Sequence, residues 1–330
     1  PGFWRLRAAL PGYRAIAVAG GWPSVPAGPK LELGARDPRV EALRARLAAS
    51  GDLPGMTADP APFDEPLKAA VQRFQARHGL KGDGVVGNDT VAALNVPAVV
   101  RLATMMANLH RLSDAPRDWG STYLVVNTAA AGYRVVENGR TIMEQVAIVG
   151  QPDWQTPDID STIERLEFNP YWTVPPRIAR LELGPKAASD PAYLRREGIR
   201  KVNGLYRQEP GPQNALGRAK FLFDNSYDVY LHDTNSPGLF QRSERHLSHG
   251  CVRLPNALEL AAYLLRNDPA WPHAKIDEAV ARGRNSGAGL IQPLPVHLVY
   301  DTAWVDEGGT VQFRNDVYGR DGRMEIAAAN

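Results

Sequence analysis

One cysteine occurs in the 330 residues of this chain. An internal disulfide is therefore excluded, and cysteine usage does not reveal a redox compartment. No run of about 18 apolar residues is present, so no transmembrane helix is expected. The charge is nearly balanced, 38 basic against 36 acidic side chains. With no basic run or stripe to neutralise phosphates, a nucleic-acid partner is not expected. Metal signatures are also missing: there is no CxxC pair and no HExxH helix. The chain opens Pro1-Gly2-Phe3-Trp4, without an initiator Met or a basic-then-apolar leader. Such a start reads as the cut end of a longer protein.

What is present supports a folded chain of about two domains. Hydrophobic residues make up 44% and charged residues 22%, enough to build a substantial core. The 30 glycines and 27 prolines point to many turns and long ordered loops. Residues 1–60 mix helix and turn. Asp37-Pro38 reads as the start of an amphipathic helix with Val40, Leu43 and Leu47 on one face. Residues 61–96 form a compact helical module, with Asp64 capping a helix that carries Leu67, Ala70, Val71 and Phe74. Residues 97–118 supply another helix. From Tyr123 the apolar period changes to two, and Asn138-Gly139 marks a hairpin. Further strands are expected near 163–167, 220–223, 229–232, 296–300 and 311–313, with helices near 255–266 and 273–282. The proline-rich stretch 169–176 fits no central strand. It opens an insertion at about 168–218 that reads as a lid.

The single thiol lies in Ser248-His249-Gly250-Cys251. A thiol needs a base to become a nucleophile at neutral pH. His232 is the candidate, because it ends the apolar run Val229-Tyr230-Leu231 and would be placed by a rigid strand. Asp233, through its carbonyl or its carboxylate, would fix the imidazole tautomer. Gly250 permits a backbone shape in which its N–H and that of Cys251 form an oxyanion hole. His249 would add its N–H or brace the loop with its side chain, and Ser248 would brace it likewise. The competing readings are a buried inert thiol and a zinc set made of His232, His246, His249 and Cys251. Acyl transfer by Cys251, with no metal and no cofactor, explains the grouping better.

These residues resemble a known family. His232 followed by Ser248-His249-Gly250-Cys251-Val252 is similar to the L,D-transpeptidase signature of the YkuD-like domain. Arg253 stands where that family often has Asn, as in the long YcbB-type subgroup. The phrases Phe168-Asn169-Pro170-Tyr171-Trp172, Asn214-Ala215-Leu216-Gly217 and Tyr230-Leu231-His232-Asp233-Thr234 extend the resemblance. Residues 61–96 resemble a peptidoglycan-binding module. The resemblance implies an α+β protein. Its mainly-β catalytic domain would span 119–330 as a YkuD-like sandwich with a helical lid, beside a small all-α module and a helical scaffold. It implies an exported, periplasmic or cell-envelope enzyme that forms 3→3 cross-links between peptidoglycan stem peptides, releases D-Ala, and is inactivated by carbapenems. Arg253 and Arg207 would then hold stem carboxylates, with Trp172 and Tyr171 as lid contacts. Two alternatives remain: an L,D-carboxypeptidase on the same stems, and a non-catalytic wall-binding protein.

Overall fold

The structure is a computed structural model that describes residues 2–54, 62–114 and 118–322. It is α+β and divides into two compact units, one of residues 1–117 with 301–330 and one of 118–300. The expected boundary near residue 60 lies outside the described residues.

The first unit is mainly helical. It contains α1 (Gly2–Val18), α2 (Arg39–Ala49), α3 (Glu65–Arg77), α4 (Asn88–Leu94) and α5 (Ala98–Asp114). Asp64 caps α3 as expected, accepting the Leu67 N–H at 3.0 Å. The core that holds Leu67, Val71 and Phe74 also takes Val25, Leu31, Val40, Leu43 and Leu47. The core of this helical region therefore extends beyond 61–96, because the apolar faces of α2 and α3 are buried in one cluster together with Val25, Leu31 and Leu94. A second cluster joins Leu6 and Met105 to Ala303, Val305 and Phe313. Strands Ala303–Val305 and Val311–Phe313 pair with each other and pack on these helices. The expectation that 119–330 forms one catalytic domain is thus corrected: that unit ends at Tyr300.

The second unit is built on one eight-stranded mixed sheet. Its strands are β1 (Thr122–Asn127), β2 (Gly132–Glu137), β3 (Arg140–Val146), β4 (Ile159–Phe168), β5 (Ala219–Phe223), β6 (Leu231–His232), β7 (Val252–Arg253) and β8 (Ser286–Val299). Their order is β7-β6-β5-β4-β8-β1-β2-β3. Asn138 and Gly139 both take positive φ, 51° and 77°, as the hairpin between β2 and β3 requires. Helices Ala257–Leu265 and His273–Ala281 bury their apolar sides in the same core. β8 is much longer than the expected strand near 296–300. Its residues 286–289 and 294–295 pair only with β4, with a break in register between Gly289 and Leu294, and β1 joins from Val296. Pro293 and Pro295 therefore take no ladder bond from β1.

Three short strands, β5, β6 and β7, position the candidate site. Phe221, Leu231 and Val252 are aligned across them and completely buried. Alternation sends the neighbouring positions to the opposite face: Lys220, His232 and Arg253 are aligned in the next register step. The insertion at 168–218 has its own small core of Val174, Ile178, Leu183 and Ile199. It combines a three-stranded sheet, Trp172–Thr173, Leu205–Gln208 and Ile199–Val202, with short helices between 176 and 196. Trp172–Thr173 lies at an edge of that sheet, which suits its flanking prolines. Because Phe221 supports the site from below, Phe221→Ala should cost about 3–5 kcal/mol. Denaturant unfolding of the chain checks this.

Candidate active site

Cys251 sits in the turn between strand His246–Ser248 and β7. The turn is tied down by buried hydroxyls. Ser248 Oγ donates to the Cys251 carbonyl at 2.5 Å and accepts the Gly250 N–H at 3.1 Å. Thr156 Oγ1 donates to the Gly250 carbonyl at 2.8 Å and accepts the Gly150 N–H at 2.9 Å. Gly250 takes φ +113°, a conformation that side-chain-bearing residues rarely adopt. The Gly250 N–H is thereby committed to Ser248, so the expected oxyanion hole does not include it. Among the described residues no acceptor takes the Cys251 N–H, which stays available.

The thiol is half-buried. Burial pushes it up from its ordinary range, while the N–H and O–H of Tyr230 and the charges of Lys220 and Arg253 pull it back. Its Sγ lies 3.8 Å from the Asp228 carbonyl. Tyr230 is its closest strand neighbour, since the Val252 N–H bonds the Tyr230 carbonyl. His232 stands one step further along the same face. Its Nδ1–H donates to the Asp233 carbonyl at 2.5 Å. This fixes the tautomer and leaves the Nε2 lone pair as the base. Burial first, then the nearby Arg253 charge, lowers His232 to about 3, so the imidazole is neutral. The resting pair is accordingly thiol and imidazole, with the proton moving only during attack. Of the two options for Asp233, its carbonyl holds the ring; its carboxylate instead accepts the Arg218 N–H at 2.9 Å.

His249 turns away from the thiol. Its Nε2 pairs with the lid residue Glu182 at 2.5 Å, and its ring meets Trp154 edge-on at 4.7 Å. Arg177 of the lid covers the Trp154 ring at 3.7 Å. His246 bonds the Thr128 carbonyl through Nε2 at 2.9 Å and meets Glu244 through Nδ1. These two histidines do not converge on Cys251, and among the described residues no group of three or more His, Cys, Asp or Glu could hold a metal. Arg253 faces the site, with Cys251 and Glu182 as its nearby opposing charges. Trp172 approaches the site beside the Tyr230 hydroxyl, whose proton it makes easier to lose. Tyr171 and Arg207 are brought to each other instead: the guanidinium stacks on the ring at 4.3 Å and lies 3.4 Å from Glu209. A groove of about 430 Å³ within the lid includes Val174, Arg180 and Tyr206 and none of the site residues.

The thiol, the tautomer-fixed imidazole and the hydroxyl-braced turn lie within residues 121–271, which match the family described as L,D-transpeptidase catalytic domain. The matched segment is a little under half of the chain. Residues 36–94 match the family described as "Putative peptidoglycan binding domain", which agrees with the enlarged helical core. A curated relative from Haemophilus influenzae, named "Putative L,D-transpeptidase", is 31% identical over 228 residues. That match takes in 63% of this chain and 46% of the relative, so the chain spans less than half of the relative's length. Among solved structures, an L,D-transpeptidase from Stackebrandtia nassauensis aligns over 84% of this chain and 97% of its own, at 15% identity and TM-score 0.33. One from Xylanimonas cellulosilytica aligns over 83% and 98%, at 19% identity and TM-score 0.28.

Within the matched segment, local reading missed Lys220, Tyr230, Thr156 and Glu182. A signal existed for two of them. Tyr230 alternates with Leu231 and His232, and Lys220 lies between the apolar Ala219 and Phe221. Two outcomes follow from the geometry. Thr156→Val leaves the Gly150 N–H and the Gly250 carbonyl without their partner and should cost about 1–3 kcal/mol, with Thr156→Ser retaining most of it; urea unfolding checks this. His232 binds a proton near 6.5 when unfolded but only near 3 when folded, so its contribution to stability is present above 6.5 and lost as pH falls toward 3. His78, buried in the other unit and also held low, acts with the same sign. Unfolding free energy should therefore fall on acidification in this window, by at most about 1.4 kcal/mol per pH unit for each group. His232→Gln should flatten the slope.

Proposed function

We propose that this chain is a cysteine acyltransferase, an L,D-transpeptidase that makes 3→3 cross-links between peptidoglycan stems. The observation that carries the reading is His232: its Nδ1–H is given to the Asp233 carbonyl, so its Nε2 is a base on the face that Cys251 shares. In the first half-reaction the Sγ proton passes to Nε2 and Sγ attacks the carbonyl of the third residue of a tetrapeptide stem. The bond to the terminal D-Ala breaks, D-Ala leaves with the proton from His232, and a thioester remains. The side-chain amine of a diamino acid on a second stem then attacks. The C–S bond breaks and the thiol is restored.

The unengaged Cys251 N–H is positioned to donate to the carbonyl oxygen as it gains charge. Arg253 is the candidate partner for a stem carboxylate, and Trp172 braces Tyr230 from the lid. Arg207 and Tyr171, stacked on each other, are less direct contacts. The lid disfavours water as the acceptor by covering the turn through the Glu182–His249 pair. The helical module at 36–94 would hold the chain on the wall, and the protein would work in the periplasm or cell envelope. A carbapenem would acylate the same thiol. The reaction uses no metal or organic cofactor.

The test is incubation with a tetrapeptide stem, followed by product mass. A dimer with loss of D-Ala supports cross-linking, whereas a tripeptide alone would make the enzyme an L,D-carboxypeptidase. Cys251→Ala should abolish both products, and His232→Ala should slow turnover by about 10²–10⁴-fold. Unchanged product in Cys251→Ala would refute the assignment of Cys251 as nucleophile, and no product from the parent chain would favour a wall-binding role.

A further inference from the structure

Lys220 stands out among the charged groups of the site. It aligns with His232 on one side and with Glu167 on the other, on the face opposite the buried Phe221. Its Nζ lies 4.1 Å from the centroid of the Tyr230 ring. The register that pairs Leu231 with Val252 puts Tyr230 beside Cys251, where its hydroxyl favours the thiolate. The lysine is half-buried, yet among the described residues no carboxylate comes within ion-pair distance of it, Glu167 included. Burial accordingly lowers its affinity for a proton. A lysine that merely decorated a sheet would extend its ammonium into water or pair with the carboxylate aligned with it. This one keeps its charge against the ring that touches the nucleophile.

We propose that Lys220 is a positioning residue of the thiol site: its ammonium, seated over the Tyr230 ring, holds the phenol on Cys251 and through it stabilises the thiolate. The proposal rests on Cys251 being the nucleophile. No bond to Lys220 forms or breaks. The Sγ proton goes to His232, Tyr230 keeps its own proton while donating to the anion, and Lys220 remains an ammonium. A cation on the face of an aromatic ring is held by the ring's electrons and makes the phenol O–H a better donor. The titratable and charged groups facing the thiol are the ammonium of Lys220 from β5, the neutral Tyr230 and His232 of the β6 segment, and the guanidinium of Arg253 from β7. Those facing Lys220 are Glu167 and Arg165 from β4, with Asp228 from the turn before β6. Glu182 of the lid faces Arg253. Arg253 acts on the thiol from the other side, so Lys220 and Arg253 are two separate cations.

The rate of Cys251 alkylation by iodoacetamide, read by intact mass from about pH 6 to about pH 10, tests this on the whole chain. Lys220→Met should move the midpoint of the pH–rate profile up by about one unit and slow alkylation near pH 7 about tenfold. Lys220→Arg should recover most of the rate, which a packing defect would not allow. Tyr230→Phe should give much of the same shift, and adding Lys220→Met to it should add little, because the effect runs through the phenol. A Lys220→Met profile that superimposes on the parent would overturn the proposal, provided both unfold at the same denaturant midpoint. So would a Lys220→Met shift of equal size with and without the Tyr230 hydroxyl. If Lys220→Met is too unstable to assay, the Arg and Phe variants still decide: a Tyr230→Phe profile equal to the parent overturns it. Iodoacetamide needs no stem peptide, so the failures separate. An inert thiol in the parent would refute both this role and the proposed function, whereas a reactive parent thiol indifferent to Lys220 would refute only the role.

Discussion

A one-residue slip between β6 and β7 would turn His232 or Arg253 into the core and leave Leu231 or Val252 in water. That register is the constraint on which the site depends. Three completely buried side chains, Phe221, Leu231 and Val252, lock it from beneath. Above them the same alignment fixes Lys220, His232 and Arg253 side by side. β7 is the outermost strand of the sheet, and an unprotected edge would let the register drift. Ile148 prevents this: it exchanges two backbone hydrogen bonds with Arg253, at 2.8 and 3.0 Å. The geometry of the nucleophile is thus inherited from apolar packing on the far face.

The second layer of control is the turn itself. Two buried hydroxyls, Ser248 and Thr156, occupy the backbone groups that a glycine-containing loop would otherwise leave free. Their effect is to commit the Gly250 N–H while the Cys251 N–H remains open. The third layer is the lid. Glu182 reaches His249, Arg177 covers Trp154, and Trp172 reaches Tyr230, so one insertion touches the turn from three directions. The nucleophile is held by elements separated by more than 70 positions in sequence.

That separation decides what could be read without a structure. The fold class, the hairpin at Asn138-Gly139 and the cap at Asp64 all rest on short spacings and are legible in the sequence; Cys251 and His232 are singled out as candidates by the same kind of local signal. The alternation around Tyr230 was equally local, but its partner was not: only register shows that Tyr230, rather than His232, stands directly beside Cys251. The alternation around Lys220 is also local, and only register brings it beside the site. The unit boundary was misplaced because strands 303–305 and 311–313 have the period of the catalytic sheet and yet pack against helices. β8 was read short because glycines and prolines in 287–295 resemble a loop, and only its one-sided pairing makes them tolerable. Tyr171 and Arg207 are expected at the site only through the family resemblance, and in the structure they stack on one another.

The central claim is that Cys251 is a reachable nucleophile whose reactivity the folded site creates. Intact-protein mass after incubation with a carbapenem, for the parent chain and for Cys251→Ala, tests it most directly. The account predicts a single covalent adduct on the native parent and none on the variant. No adduct on the parent, or an adduct that persists in Cys251→Ala, would contradict it.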